Sequence, residues 1–168
     1  MGSVDWHVHA FLYGYLPAIA AGFLLTAVPN WTGRLPVTGW PLLALVGLWF
    51  AGRIAVLSGF WLGPLATAII DLAFLASFAV VVARELLAGA NKRNLPVLLL
   101  LTLLLIGNAV FHREVEVAGN AAIGTRLGIT GALMLIMLIG GRIVPSFTRN
   151  WLAKRGDGRL PAPMGRLD

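Results

Sequence analysis

The sequence predicts an all-α fold, a polytopic membrane helix bundle with about five transmembrane helices. Apolar residues make up 58% of the 168 residues and charged residues only 12%, which is too little polar side chain to cover a water-soluble domain. Long apolar stretches alternate with short segments rich in Pro, Gly, Asn and Arg. Nineteen residues of helix, as in residues 10–28, reach about 28 Å, close to the roughly 30 Å of a bilayer's hydrocarbon core.

The first two spans are expected at residues 10–28 and 41–57. The first contains no charged residue, and Pro29 is expected to end it because proline cannot continue a helix's hydrogen bonds. A polar turn with Arg34 follows. The second span begins with proline, which is favoured at the first position of a helix.

Three further spans are expected at residues 60–83, 95–111 and 126–144. A Ser-Gly pair separates the second span from the third, and a basic loop precedes the leucine-rich fourth. His112 is expected to open a polar loop, and Pro145 to end the fifth span. Residues 1–152 therefore form the predicted membrane domain, and residues 153–168 a basic cytoplasmic tail.

The distribution of basic residues predicts the orientation in the membrane. Nine lie on the side that holds the connections at residues 30–40 and 84–94 and the tail. The other side has two, or three if Arg53 is counted. Basic residues collect on the cytoplasmic side, so we expect a periplasmic amino terminus and a cytoplasmic carboxyl terminus. The nine are Arg34, Arg84, Lys92, Arg93, Arg149, Lys154, Arg155, Arg159 and Arg166, and the two are Arg113 and Arg126.

Several classes of function are excluded or disfavoured. The chain has no cysteine, which excludes disulfides, thiolate metal sites and thiol nucleophiles. A net charge of +6 is explained by loop residues that set topology, so no nucleic-acid partner is predicted. We expect no cleavable signal peptide, because the first apolar run is too long and lacks a basic flank. No nucleotide-binding loop, nucleophile triad or zinc-protease motif is present, so no catalytic residue is assigned.

All three histidines fall at the predicted outer interface. Imidazole suits copper, zinc and iron, so His7, His9 and His112 are candidate ligands of a transition metal or of a haem. His7 and His9 can reach one ion only if the first helix begins after His9. If it begins earlier, one of them could pair with His112 across the bundle. The alternative is that all three are interfacial residues with no ligand.

Charged and polar residues inside the spans give a second set of candidates. Arg53 and Arg142 lie near span ends and can extend to the interface. Asp71 lies mid-span and needs either a proton or a polar partner, for which Arg53 and Asn108 are nearest in depth. A transporter-type bundle that passes a small solute or proton through Asp71 is therefore the alternative function.

Two segments at the predicted inner mouth have similar compositions. TAVPNWTGRLP follows the first span and GGRIVPSFTRNW follows the fifth, and each combines Pro, Asn, Trp, Thr and Arg. Simple helix stops with interfacial anchors would explain them, but the combination suggests an ordered polar site. Its candidate residues are Asn30, Trp31, Arg34, Arg142, Arg149 and Asn150.

The chain resembles the NnrS family of bacterial membrane proteins. The likeness rests on WHVHAFLYGYLPAIAAGFLLTAVPNWTGRLP, LWFAGRIA, NLPVLLLLTLLLIGNAVFH and GGRIVPSFTRNWL, which follow in the family's order. It implies a haem- and copper-containing inner-membrane protein linked to denitrification and the nitric oxide response. By position, it also implies that His7, His9 and His112 are ligands.

Two departures from the family pattern bear on function. Members usually have an acidic residue directly after the second histidine, where this chain has Ala10, and a lost carboxylate could weaken metal binding. Members are also longer, with more spans, so the chain resembles an internal portion, a short form or a truncated reading frame. A pocket completed by further helices would then need a partner chain or a second copy, besides the lipid bilayer.

Overall fold

The fold is all-helical, as the sequence predicts. A computed structural model describes residues 2–90 and 92–156, and within these residues there are six helices and no strand. Five helices are long and apolar enough to cross a membrane, which confirms the predicted class of multi-pass membrane protein. The helices are α1 (Ser3–Thr32), α2 (Trp40–Leu57), the short α3 (Gly59–Leu62), α4 (Pro64–Ala88), α5 (Leu95–Ala118) and α6 (Ala122–Ala153).

The chain divides into two compact units, Met1–Ala132 and Leu133–Asp168. The first unit contains α1 to α5 and the first part of α6, and the second contains the rest of α6. In the second unit, Arg155 lies over the ring of Trp151, with 3.8 Å between the guanidinium carbon and the ring centroid. The predicted tail begins at residue 153, and its residues 157–168 lie outside the described residues.

Helix α1 is longer than predicted at both ends. It begins at Ser3, so both His7 and His9 are helical, and of the two starts that the sequence leaves open the earlier one is found. The expectation that Pro29 ends it is wrong, because Pro29 lies inside the last turns. The helix ends at Gly33, whose φ of 70° lets its N–H bond the Pro29 carbonyl at 2.8 Å.

One turn of α1, Ala10–Tyr15, is π-helical. The Leu16 N–H bonds the carbonyl of Phe11, five residues back. Pro17 follows directly and has no N–H, so the normal bonding pattern is already interrupted at this point. In the same turn the carbonyl of Gly14 accepts a hydrogen bond from the Trp49 indole Nε1 at 2.9 Å, which connects the π-helical turn to α2.

The later helices also extend beyond their predicted ends. Helix α5 continues to Ala118, so His112 and Arg113 are helical and do not lie in a loop. Helix α6 passes through Pro145, which was expected to end it. Proline is tolerated inside membrane helices because neighbouring groups satisfy the freed carbonyls. The third long helix begins at Pro64, after α3 and Gly63, and not at residue 60.

Helix α4 occupies the centre of the first unit and contacts α1, α2, α3 and α5. Its buried face includes Leu75, Phe78 and Val82. Asp71 lies on this same face, about one to three turns before them, so the packing of α4 directs a carboxylate into the helix bundle. Apolar burial thus fixes the position of the polar site.

Candidate metal centre

Three helices direct four polar side chains at Asp71, which lies on α4. Helix α1 contributes His9, α2 contributes Arg53, and α5 contributes Asn108 and His112. Asn108 and His112 share a face of α5 because they are four residues apart. His9 is 0% exposed, Asp71 2% and the His112 side chain 8%, so the cluster is almost sealed from its surroundings.

One oxygen of Asp71 receives most of these contacts. The Oδ2 atom lies 3.1 Å from His9 Nε2 and 3.0 Å from His112 Nε2. Asn108 donates from Nδ2 to the same oxygen at 2.9 Å, and its own Oδ1 lies 3.0 Å from His9 Nε2. Asn108 therefore holds His9 and Asp71 in a fixed relation.

The other carboxylate oxygen, Oδ1, accepts a hydrogen bond from the Arg53 guanidinium. Two glycines leave room for this ion pair. A methyl group at Gly14 would lie 2.9 Å from the guanidinium carbon of Arg53, and one at Gly52 would lie 3.1 Å from Asp71 Oδ1. The first contact is closer than β-carbons come, so a side chain at position 14 would displace the guanidinium. The second is tight, so a side chain at position 52 would require Asp71 to shift by a few tenths of an ångström.

An aromatic shell surrounds the His9 ring. The ring centroid lies 5.6 Å from that of Tyr13, 5.2 Å from that of Phe111 and 4.9 Å from that of His112. Tyr13 is itself fixed, since its hydroxyl donates to the Gly124 carbonyl at 2.6 Å. The Nδ1 atom of His9 is buried without a hydrogen-bond partner, so Nε2 makes all the polar contacts of this imidazole.

The three candidate ligand atoms of His9, Asp71 and His112 lie within 4.8 Å of one another. Such a spacing allows one ion to reach all three after small rotations of the side chains. Two imidazoles and one carboxylate suit copper, zinc and iron, and a divalent ion would bind neutral imidazole and ionised carboxylate. The arrangement can therefore hold one transition-metal ion.

A cavity of about 680 Å³ reaches the cluster from one end of the bundle. Apolar side chains form much of its wall, including Trp6, Leu57 and Phe60, and His112 and Thr67 are among its polar lining residues. Neither His9 nor Asp71 lines it. His112 is thus the member of the cluster through which a small molecule or ion would gain access.

Two other predicted residues of the first unit, His7 and Arg34, lie outside this cluster. His7 is exposed on α1 and takes no part in the cluster, as expected for positions two apart on a helix. Arg34 donates from Nε to Glu85 Oε2 at 2.6 Å, and Arg84 contacts the other oxygen of Glu85.

Asn30 and Trp31 lie in the last turn of α1, where Asn30 bonds the Thr26 carbonyl at 3.1 Å. Arg142, Arg149 and Asn150 lie on α6 in the second unit. That the two segments together form a polar site stays a prediction.

Sequence reasoning found the members of the cluster and named Arg53 and Asn108 as candidate partners of Asp71, which both bond its carboxylate. It did not join the histidines to Asp71. Asp71 was assigned to mid-membrane depth and His112 to an interfacial loop, whereas the two are in contact. The four-residue spacing of Asn108 and His112 was the available signal, because it places both on one face if the helix continues. Nothing in the pattern indicated the roles of Tyr13, Gly14 or Gly52.

The fold and the cluster together define a multi-pass helical membrane protein with a buried histidine–carboxylate centre. The chain belongs to the NnrS family, whose description is "NnrS protein" and which it matches over residues 1–168. No curated protein and no solved structure matches it.

Proposed function

We propose that the protein binds one copper ion through His9, Asp71 and His112 and acts in the bacterial inner membrane in the nitric oxide response and denitrification. Membership of the NnrS family supports the biological setting. The observation that carries the site is the convergence of three ligand atoms within 4.8 Å, in a pocket that hydrocarbon-facing helices surround.

The chemistry of the donors supports copper. Among the first-row divalent metal ions, copper binds a given site of nitrogen and oxygen ligands most tightly, and imidazole is a common copper ligand. Copper would supply one-electron chemistry at this position. The chain's own residues would orient the ligands: Asn108 holds His9 and Asp71 together, and Arg53 fixes the second carboxylate oxygen.

A haem held between His9 and His112 does not fit this arrangement. Both Nε2 atoms lie close to the same oxygen, Asp71 Oδ2, at 3.1 and 3.0 Å. A porphyrin plane between the two imidazoles would have to pass through the space of the Asp71 and Asn108 side chains. The family resemblance implies a haem, and this cluster offers no place for one between its histidines.

The alternative of a solute or proton path through Asp71 draws less support. Both oxygens of Asp71 are engaged by neighbouring side chains, one by Arg53 and the other by three partners. An acid held by an arginine would have to break that ion pair to carry a proton. A metal ion, by contrast, could bind Oδ2 together with the two imidazole nitrogens that lie beside it, without breaking the ion pair with Arg53.

Metal binding by purified protein in detergent tests the proposal. We expect about one copper ion per chain by mass spectrometry of dialysed samples, and at least a tenfold loss of affinity in His9→Ala and in His112→Ala. His7→Ala is the matched control, because His7 is exposed and outside the cluster, and it should bind copper as the wild type does. Failure of the wild type to retain copper, or equal losses in all three variants, would refute the site.

A further inference from the structure

The two carboxylate oxygens of Asp71 have different partners, because Arg53 bonds only one of them. The Arg53 guanidinium holds Oδ1, while the two histidines and Asn108 gather at Oδ2. The Arg53 side chain is only 19% exposed, so water screens its charge weakly. Only one oxygen of the carboxylate is therefore left to face an ion, and that ion would lie close to a fixed positive charge.

The local structure is built to keep the guanidinium in place. Gly14 lies in the π-helical turn of α1, where any β-carbon would collide with Arg53. Trp49, one turn before Arg53 on α2, bonds the Gly14 carbonyl and so fixes α2 against this turn. A positive charge that merely extended to the membrane surface would need none of these features.

The charges of the cluster determine which ion it can accept. The carboxylate of Asp71 and the guanidinium of Arg53 cancel, and neutral imidazoles add nothing. The buried site would therefore carry the whole charge of the ion it binds. Repulsion between Arg53 and the ion is twice as large for a doubly charged ion as for a singly charged one, and the cost of burial also rises with charge.

We propose that Arg53 is the specificity-determining residue of the cluster and shifts its preference toward Cu⁺ relative to Cu²⁺. The inference rests on the proposed copper site and adds to it the residue that sets the balance between the two oxidation states. In physical terms, the guanidinium penalises the extra positive charge of the oxidised ion. It should thereby raise the reduction potential of the bound copper.

Affinities for the two copper ions, measured separately, test this role. Cu⁺ is titrated without oxygen in the presence of ascorbate against a chromophoric chelator, and Cu²⁺ in air against a second chelator. In Arg53→Gln we expect the ratio of Cu⁺ to Cu²⁺ affinity to fall at least tenfold, which corresponds to a potential about 59 mV lower for a one-electron couple. Arg53→Lys keeps the charge and should leave the ratio within about threefold of the wild type.

Arg113→Gln is the matched control. Arg113 follows His112 in the chain and its side chain is 71% exposed, so this variant removes a positive charge that water screens. Its ratio should stay at the wild-type value. If the role of Arg53 is purely structural, Arg53→Gln will bind both ions more weakly by the same factor and the affinity ratio will not change. That result would overturn the inference. A wild type that binds neither ion would instead refute the copper site itself.

If Arg53→Gln fails to fold, Gly14→Ala provides the second test. Its added methyl group would displace the guanidinium from Asp71 while leaving the residue in the chain. The affinity ratio should move in the same direction as expected for Arg53→Gln. An unchanged ratio in a folded Gly14→Ala protein that binds copper would also overturn the inference.

Discussion

Asp71 is an ionisable side chain buried inside a long apolar helix, where a charge is costly to accommodate. Its burial is possible because Arg53 supplies the opposite charge and because His9, Asn108 and His112 occupy the remaining acceptor. Removing one partner would leave an uncompensated group in the interior. An apolar side chain of similar size would fold at lower cost, which favours a specific role for Asp71.

Tyr13 provides a test at the scale of one hydroxyl group. It is 1% exposed and donates to the Gly124 carbonyl at 2.6 Å, so Tyr13→Phe should lower the free energy of unfolding by about 1 kcal/mol. Thermal unfolding followed by circular dichroism in detergent measures the change. Tyr15→Phe is the control, because Tyr15 is 57% exposed two residues away, and equal shifts in both variants would contradict the assigned hydrogen bond.

The residues of the candidate site, and Arg53 and Asn108 as partners of Asp71, could be predicted from sequence. The contacts of Asp71 with the two histidines could not. Charge within an apolar stretch singled out Asp71 and Arg53, and rarity singled out the histidines. Contact of Asp71 with the histidines depends on the π-helical turn of α1 and on the depth at which α4 begins. Both are properties of packed helices, and composition does not report them.

Among the elements, helix ends were the least predictable feature. Pro29 and Pro145 were expected to stop their helices, yet both lie inside them. A proline removes one backbone bond, and the next turns still bury apolar side chains or bond to neighbours, so the helix continues. The number of long helices was predictable because hydropathy over about twenty residues averages out such local effects.

Close packing of α5 against α1 gives a prediction at the scale of the element. A β-carbon at Gly107 would lie 2.6 Å from the Tyr13 hydroxyl and 3.0 Å from the Leu127 β-carbon. Gly107→Ala should therefore overpack the interface and lower the free energy of unfolding by roughly 1–3 kcal/mol, measured by the same thermal unfolding.

Gly22→Ala is the matched control for Gly107→Ala. Gly22 lies mid-helix in α1, and an added β-carbon there would meet nothing within 4 Å. This variant should be neutral or more stable by up to about 1 kcal/mol, because alanine favours the helix. Destabilisation of Gly22→Ala as large as that of Gly107→Ala would show that helix contact at residue 107 is not the cause.

For the whole molecule, the odd number of candidate spans and the uneven distribution of basic residues together predict the orientation in the membrane. Five crossings put the connection after α1 and the connection after α5 on opposite sides of the membrane. The positive residues predict which side is cytoplasmic. With the predicted orientation, the cavity beside His112 would open toward the periplasm, and copper of the proposed site would enter from there.

Labelling of single cysteines measures this orientation without interference, because the natural chain has none. Asn120, between α5 and α6, and Thr38, between α1 and α2, are both exposed and suit substitution by cysteine. A membrane-impermeant maleimide should label Asn120→Cys in intact cells and label Thr38→Cys only after the inner membrane is opened. The reverse pattern would place the copper site toward the cytoplasm, and labelling of both in intact cells would exclude an odd number of crossings between them.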